Sequence, residues 1–338
     1  MRVGIPQGLL FWRYASLWFT FLRGLGMEPV ISRATTRATL DCGVRLAVEE
    51  ACLPVKVFYG HCAELAEEVE ALFVPRLVSV EPRAYICPKF MGLPDMVRHA
   101  LGSRVRLLAP VVDLRPGAGG WLAAAGEVAR TLGIGRRVAG QALAGGLEAQ
   151  RLAEERSTGG RLPPAVLAEA GLLAVGEGAG GAGPAANQPA AGGPARRLGV
   201  LGHPYNVYDR QVSLDLIHGL TAAGWGVETA ETVPLARCEE EARRLPKELF
   251  WTLGRRVYGA AAYLTGSGQV AGLIYLAAFG CGPDSLVGEL VARLRPGKSV
   301  PLLLLTLDEH TGEAGLWTRV EAFLDLLERR EAMAPRPS

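Results

Sequence analysis

Three cysteines lie far apart in this chain, each in a short turn marked by proline or glycine: Glu50-Ala51-Cys52-Leu53-Pro54, Tyr85-Ile86-Cys87-Pro88-Lys89 and Phe279-Gly280-Cys281-Gly282-Pro283. Thiolate sulfur is the donor that iron–sulfur clusters and zinc share. Structural zinc sites usually draw on paired Cys-x-x-Cys knuckles, and the chain has none. One Cys per turn, repeated three times, fits a cluster capped from several separate elements. Three ligands leave one iron open, so Lewis-acid chemistry joins electron transfer among the expected roles. A zinc-stabilised regulatory protein built on the same thiolates is the competing reading. Cys42, Cys62 and Cys238 sit in ordinary helix or loop surroundings and read as small buried hydrophobes. Because Cys42 and Cys62 each lie ten residues from Cys52, a larger double-cubane cluster stays open beside a single 4Fe-4S cubane.

Other polar groups cluster after predicted strands. His203 falls between Gly202 and Pro204, followed by Tyr205, Asn206 and Asp209. These side chains could hydrogen-bond a cluster or a ligand, or equally cap the next helix. Asp308, Glu309, His310 and Glu313 follow another strand. They could bind a divalent metal or act as acid and base, but a hydrogen-bonded loop bracing the cleft is favoured. An Asp-Glu-His run lacks the i, i+4 spacing that aims two ligands together. His203, Asp209, Glu309 and His310 are thus the candidate catalytic residues. Asp95, after Leu93-Pro94, reads as a helix N-cap. Phe11, Tyr14, Trp18 and Phe21 read as a core stripe, and His61 and His99 have no company that distinguishes them.

The elements that must position these groups alternate. Arg2 to Ile5 reads as a strand, Phe11 to Leu25 as an amphipathic helix, and Glu28 to Ile31 as a strand. Arg37 to Glu49 looks helical, Val55 to Tyr59 and Ala71 to Val74 look like buried strands, and Met96 to Leu101 like a short helix before the strand Val105 to Leu108. Trp121 to Glu155 is helical and Ala-rich, and Pro164 to Val175 adds a short helix. A second lobe restarts at Arg197 with a strand, a helix over Gln211 to Ala223, and the strand Gly226 to Thr229. It continues with a helix over Glu248 to Ala262, strand Gly272 to Tyr275, helix Ser285 to Leu294, strand Val300 to Leu305 and helix Thr318 to Arg330. The expected organisation is an α/β lobe (1–118), a helical connection (119–175), a flexible Gly/Ala/Pro-rich insertion (176–196), a second α/β lobe (197–330) and a disordered tail (331–338). Both lobes open strand, turn, helix, glycine, strand, so two similarly wound halves are expected, with active residues at the carboxyl ends of strands.

Bulk properties exclude several classes. The chain has 338 residues, enough for two cores, a formal net charge of +2, and 21% charged residues without a basic stripe, which argues against nucleic acid. Hydrophobic residues make up 49%, but the apolar runs are far too short to span a bilayer. Arg13 interrupts the first of them, so no cleavable leader is expected. Six cysteines in a cytoplasmic protein, the expected location, favour metal or redox chemistry over disulfides.

The stretches Glu49 to Lys56, Phe73 to Glu81 and Tyr85 to Asp95 resemble the subunit family of 2-hydroxyacyl-CoA dehydratases. Within it, the likeness is to the branch called CoA-enzyme activase-related or CoA protein activase proteins. Gly202 to Asp209, Phe279 to Ser285 and Asp308 to Gly315 agree with it. The resemblance implies two flavodoxin/Rossmann-like doubly wound lobes with the cluster in the cleft, and Cys52, Cys87 and Cys281 as its ligands. It also implies an electron donor, a separate actin-like ATP-hydrolysing activator, and a thioester substrate. The electron reaches the thioester carbonyl, and the ketyl radical expels a hydroxyl. Relatives with a double cubane reduce small molecules, and a non-catalytic electron-transfer or scaffold subunit is a further alternative. Lys56, Arg76 and Lys89 would offset cluster charge or meet coenzyme A phosphates, while Arg83 reads as solvated surface. No GxxxxGKS phosphate loop is present, so the chain itself is expected not to hydrolyse ATP and to work in a homo- or hetero-oligomer.

Overall fold

The computed structural model describes residues 1–173, 196–294 and 300–333. The first lobe runs β1 (Arg2–Ile5), α1 (Phe11–Gly24), β2 (Glu28–Ile31), α2 (Arg37–Leu46), α3 (Leu53–Ala66), β3 (Ala71–Phe73), β4 (Arg76–Ser79), α4 (Pro88–Leu101), β5 (Arg106–Leu108) and β6 (Val111–Asp113). Helices α5 (Gly120–Leu132), α6 (Arg136–Thr158) and α7 (Pro163–Glu169) follow. The second lobe begins with β7 (Arg197–Gly202), α8 (Pro204–Val207), α9 (Arg210–Ser213), α10 (Leu216–Ala222), β8 (Gly226–Thr229) and α11 (Leu235–Ala242). It ends with α12 (Thr252–Ser267), β9 (Gly272–Ala278), α13 (Gly282–Ala292), β10 (Leu302–Leu307) and α14 (Glu313–Met333).

The two main sheets are wound identically. Their orders are β2-β1-β3-β5 and β10-β9-β7-β8, and every pairing is parallel. Counted along each lobe's own strands, both read 2-1-3-4. The order therefore reverses between β1 and β3 in one lobe and between β7 and β9 in the other, where ligands of such sheets collect. Parallel strands covered on both faces become continuous apolar runs, as Leu198 to Gly202 and Gly272 to Leu276 are here. A separate parallel pair, β4–β6, carries the chain toward Cys87.

Several expectations are corrected. Val55 to Tyr59 belongs to helix α3, not a strand; every residue from Leu53 to Cys62 is buried, so the helical period is hidden. The helix expected over Gln211 to Ala223 is two short ones, because Leu214 and Asp215 adopt left-handed backbone. Asp95 is inside α4 rather than at its start, and Pro94 is accommodated one residue earlier. Trp121 to Glu155 is split into α5 and α6 by Gly133, which is left-handed. The insertion expected at 176–196 lies outside the described residues except for Arg196, which pairs with Glu328 and Glu331 of α14 at 2.9 Å each. That helix runs through 331–333 of the stretch expected to be a tail, and 334–338 lie outside the described residues.

One buried core extends across both lobes, from Val3, Ile5 and Leu72 to Val200, Ile274 and Leu305. The aromatic stripe of α1 is part of it, with Phe11 and Phe21 buried and Trp18 packed on Phe73. Helices α2 and α3 cross at glycines: a Cβ on Gly43 would lie 1.7 Å from the Lys56 carbonyl, and one on Gly60 2.0 Å from that of Thr39. This close crossing fixes α3, and with it Cys52. Polar contacts tie the lobes together. Tyr85 N donates to Phe250 O (2.7 Å), Thr252 N to Tyr85 O (2.9 Å), and Arg255 to Glu81 (2.5 Å). Among the described residues no helix is long and apolar enough to cross a membrane.

Candidate functional site

Each of the three marked cysteines stands immediately before a helix. Cys52 caps α3, Cys87 caps α4 and Cys281 caps α13, with proline in the first two helical positions each time. Proline there fixes φ without losing a needed N–H, so the turn sequences set the helix starts. None of the three side chains is used to cap its helix, and none is in a disulfide. Two come from the first lobe and one from the crest of β9 in the second. The Cys52 turn touches its neighbours through backbone: Lys89 Nζ donates to Glu50 O at 3.2 Å, and Gly280 lies against the same carbonyl.

His203 completes the crest of the second lobe. It follows β7 directly, 3% exposed, and precedes Pro204. Gly202 before it has φ +152°, and a Cβ there would lie 2.5 Å from Leu276 O, so only glycine lets the chain turn. A ring nitrogen of His203, Cys281 Sγ and an Asp284 oxygen all lie within 4.8 Å of one another. His203 Nδ1 is 2.9 Å from Asp284 Oδ1, near enough to pair but off the axis of a hydrogen bond. Asp284, in the first turn of α13, is otherwise well served. It accepts from Asn206 Nδ2 (3.1 Å), Tyr275 Oη (3.2 Å) and Ala278 N (3.3 Å). Tyr205 stacks obliquely on His203 (5.1 Å) and packs near Phe90 of the first lobe (6.1 Å).

Burial pushes the thiols of both Cys87 and Cys281 up. Asp284 and the neighbouring sulfurs add to this, while backbone amides of Lys89 and Asp284 act against it. Tyr205, raised first by its burial, feels all three cysteines. The three sulfurs thus feel one another's charge, and at Cys87 and Cys281 the thiol form is favoured, so that a metal bound there would release protons. Three sulfur donors at the positive ends of helices suit an anionic metal–sulfur group, and the His203 ring, with a carboxylate facing its Nδ1, suits a metal beside them.

The remaining sequence candidates lie elsewhere. Lys56 is 4% exposed and forms an ion pair across the lobes with Glu309; burial raises the Glu309 carboxyl, but Lys56 and backbone hydrogen bonding outweigh it and hold it low. Arg76 bonds Met91 O and Asp95, bracing α4. Of the three proposed phosphate contacts, Lys56 and Arg76 are thus engaged within the protein. His310 is exposed, and Asp308 accepts from its backbone and from Thr311, forming a local turn. Asp209 sits apart, in a cavity of about 380 Å³ lined by Gln7, Trp12, Thr35 and Glu313. There it accepts from Thr35 Oγ1 at 2.5 Å, and Thr35 also meets His61 Nε2 at 2.9 Å. Burial pushes Asp209 up to about 6, against its hydrogen bonds, and drives His61 down to about 3.

His61 therefore has company after all, which its sequence neighbourhood did not signal. Asp284 is the main residue that sequence reasoning missed. Its signal was its place three residues after Cys281, the spacing that returns a side chain to the same helix face. Cys62 and Cys238 are fully buried, Cys238 beside the α11–α12 crossing. Ten residues of helix rise about 15 Å, so Cys62 is well away from Cys52.

No curated protein matches the chain. The profile of a family described as the CoA enzyme activase uncharacterised domain matches residues 2–233, including Cys52, Cys87 and His203 and ending before Cys281. With more than half its length in that match, the chain belongs to the CoA enzyme activase uncharacterised domain family.

Proposed function

We propose that this chain is an iron–sulfur protein of the 2-hydroxyacyl-CoA dehydratase subunit type. It takes low-potential electrons from a separate ATP-hydrolysing activator for reductive or acyl-CoA dehydratase chemistry, within a homo- or hetero-oligomer. One observation carries the reading: thiols from three distant turns, on two lobes, share one environment at the starts of three helices. Cys52, Cys87 and Cys281 would hold three irons of a 4Fe-4S cluster, which when bound supplies a one-electron carrier. The chain's own groups do the rest. The helix ends favour negative charge, Tyr205 and Phe90 keep water from the sulfurs, and Lys89, whose one side-chain bond among the described residues is to Glu50 O, has donors to spare for a coenzyme A phosphate. Family membership supports the link to coenzyme A enzymes.

A second reading is a single zinc, favoured by the mixed nitrogen, sulfur and oxygen set of His203, Cys281 and Asp284. Iron, acid-labile sulfide and zinc content on anaerobically purified protein, with an absorption spectrum, separates the two. About four irons per chain and a broad band at roughly 400 nm support the first reading. A colourless protein that carries zinc and fails anaerobic reconstitution supports the second and overturns the first.

A further inference from the structure

We infer that His203 is the fourth protein ligand of the metal group held by Cys52, Cys87 and Cys281, oriented by Asp284. The inference rests on the iron–sulfur reading and adds to it the one position that three thiols leave open. His203 is nine-tenths buried and more, its Nδ1 lies 2.9 Å from an Asp284 oxygen, and a ring nitrogen falls within the group that holds Cys281 Sγ. With a carboxylate facing one ring nitrogen and a thiol beside the ring, the other nitrogen is the donor that a metal at the neighbouring sulfurs would use. Its ring and Cys281 Sγ fall within the same 4.8 Å group although they are 78 residues apart, because both stand at the reversal point of one sheet.

Asp284 belongs to the same group but is a positioning residue. Its oxygens already accept from Asn206, Tyr275 and Ala278, so a metal would compete with three donors for it. What it offers instead is a carboxylate 2.9 Å from His203 Nδ1. A proton on Nδ1 facing that carboxylate leaves the Nε2 lone pair as the donor, the arrangement in which a carboxylate sets the tautomer of a metal-bound histidine. Tyr205 against the ring and Pro204 after it restrict the alternatives. Nitrogen in place of a thiolate raises the potential of a cluster, so the fourth ligand would also tune it.

The test is pulsed EPR on the reduced, anaerobically reconstituted protein, grown with nitrogen-14 or nitrogen-15 histidine, beside measured iron and sulfide. The wild-type protein is expected to show a strong histidine-nitrogen coupling that changes with the isotope. His203→Gln is expected to keep its iron and lose that coupling, and His203→Cys to shift the midpoint potential negative. Asp284→Asn is expected to alter the coupling without abolishing it. The wild-type spectrum requires no variant to fold. Iron-loaded wild type without histidine coupling, or His203→Gln with the coupling intact, overturns this inference and leaves the cluster reading standing. Wild type that takes up no iron overturns both.

Discussion

Beyond the strands of the first lobe stand Gln7 and Thr35; beyond those of the second stand His203 and Cys281. Each set is completed from the other lobe, the first by Asp209 and the second by Cys52 and Cys87. Yet the first set, with His61, gathers hydroxyl, imidazole and carboxylate, which exchange protons. The second gathers sulfur and nitrogen, which hold soft metals. Two sheets of one strand order therefore carry different chemistry. The turns decide it: Pro6-Gln7 against Gly202-His203-Pro204 after the first strand, Val74-Pro75 against Phe279-Gly280-Cys281 after the third.

The contrast breaks most visibly if metal follows the wrong set. Cys281→Ala is expected to lower reconstituted iron by ~10-fold or more, since even outer partners of metal ligands carry that much. Asp209→Asn should leave iron unchanged. Full iron in the first variant, measured with sulfide, would remove the second lobe from the site. Next comes the bridge between the lobes. Lys56→Met leaves the Glu309 carboxylate unpaired near the core and should cost about 2–3 kcal/mol in urea unfolding, below the usual range for a fully buried pair because Glu309 retains 18% exposure. Adding Glu309→Gln should restore most of it; no recovery would mean that Lys56 acts through packing alone.

The protonic set sharpens the contrast through pH. His61 is held at about 3, below its unfolded value, so its stabilising contribution is present above about pH 6.5 and is lost on acidification. Asp209, raised to about 6, has the opposite sign: its contribution is present below about pH 4 and is lost as pH rises through 6. His61 has the wider window and dominates. The stability gap between wild type and His61→Gln should therefore shrink by about 2 kcal/mol between pH 6.5 and 4.5. A gap that stays constant or grows would mean that His61 is not held neutral. The smallest effect belongs to His310→Ala, which should change neither iron content nor melting temperature, because the ring is exposed and its loop is closed through backbone and Thr311.

Much of this was legible in one dimension. Strand–helix alternation announces parallel sheets, so the winding could be read directly, whereas the proline just inside each cysteine turn is a helix-start signal that the strand reading of Val55 to Tyr59 and the late start at Met96 passed over. What could not be read had no local signature. Thr35, His61 and Asp209 are brought together over separations of 26 and 174 residues, and nothing near His61 marks it. Helix α3 hid its period by being buried all round. The break between α9 and α10 falls at Asp215 and at Leu214, a residue that seldom takes positive φ and so sends no warning.

Cys52 and Cys87 belong to one lobe and Cys281 to the other, so any group held by all three is also a crosslink between two halves of the molecule. Emptying the site and parting the lobes then become coupled events, each biasing the other through the same free energy. A protease or a crosslinker that senses the seam becomes a gauge of occupancy, and a partner that pries at the seam would not need to touch the metal to release it.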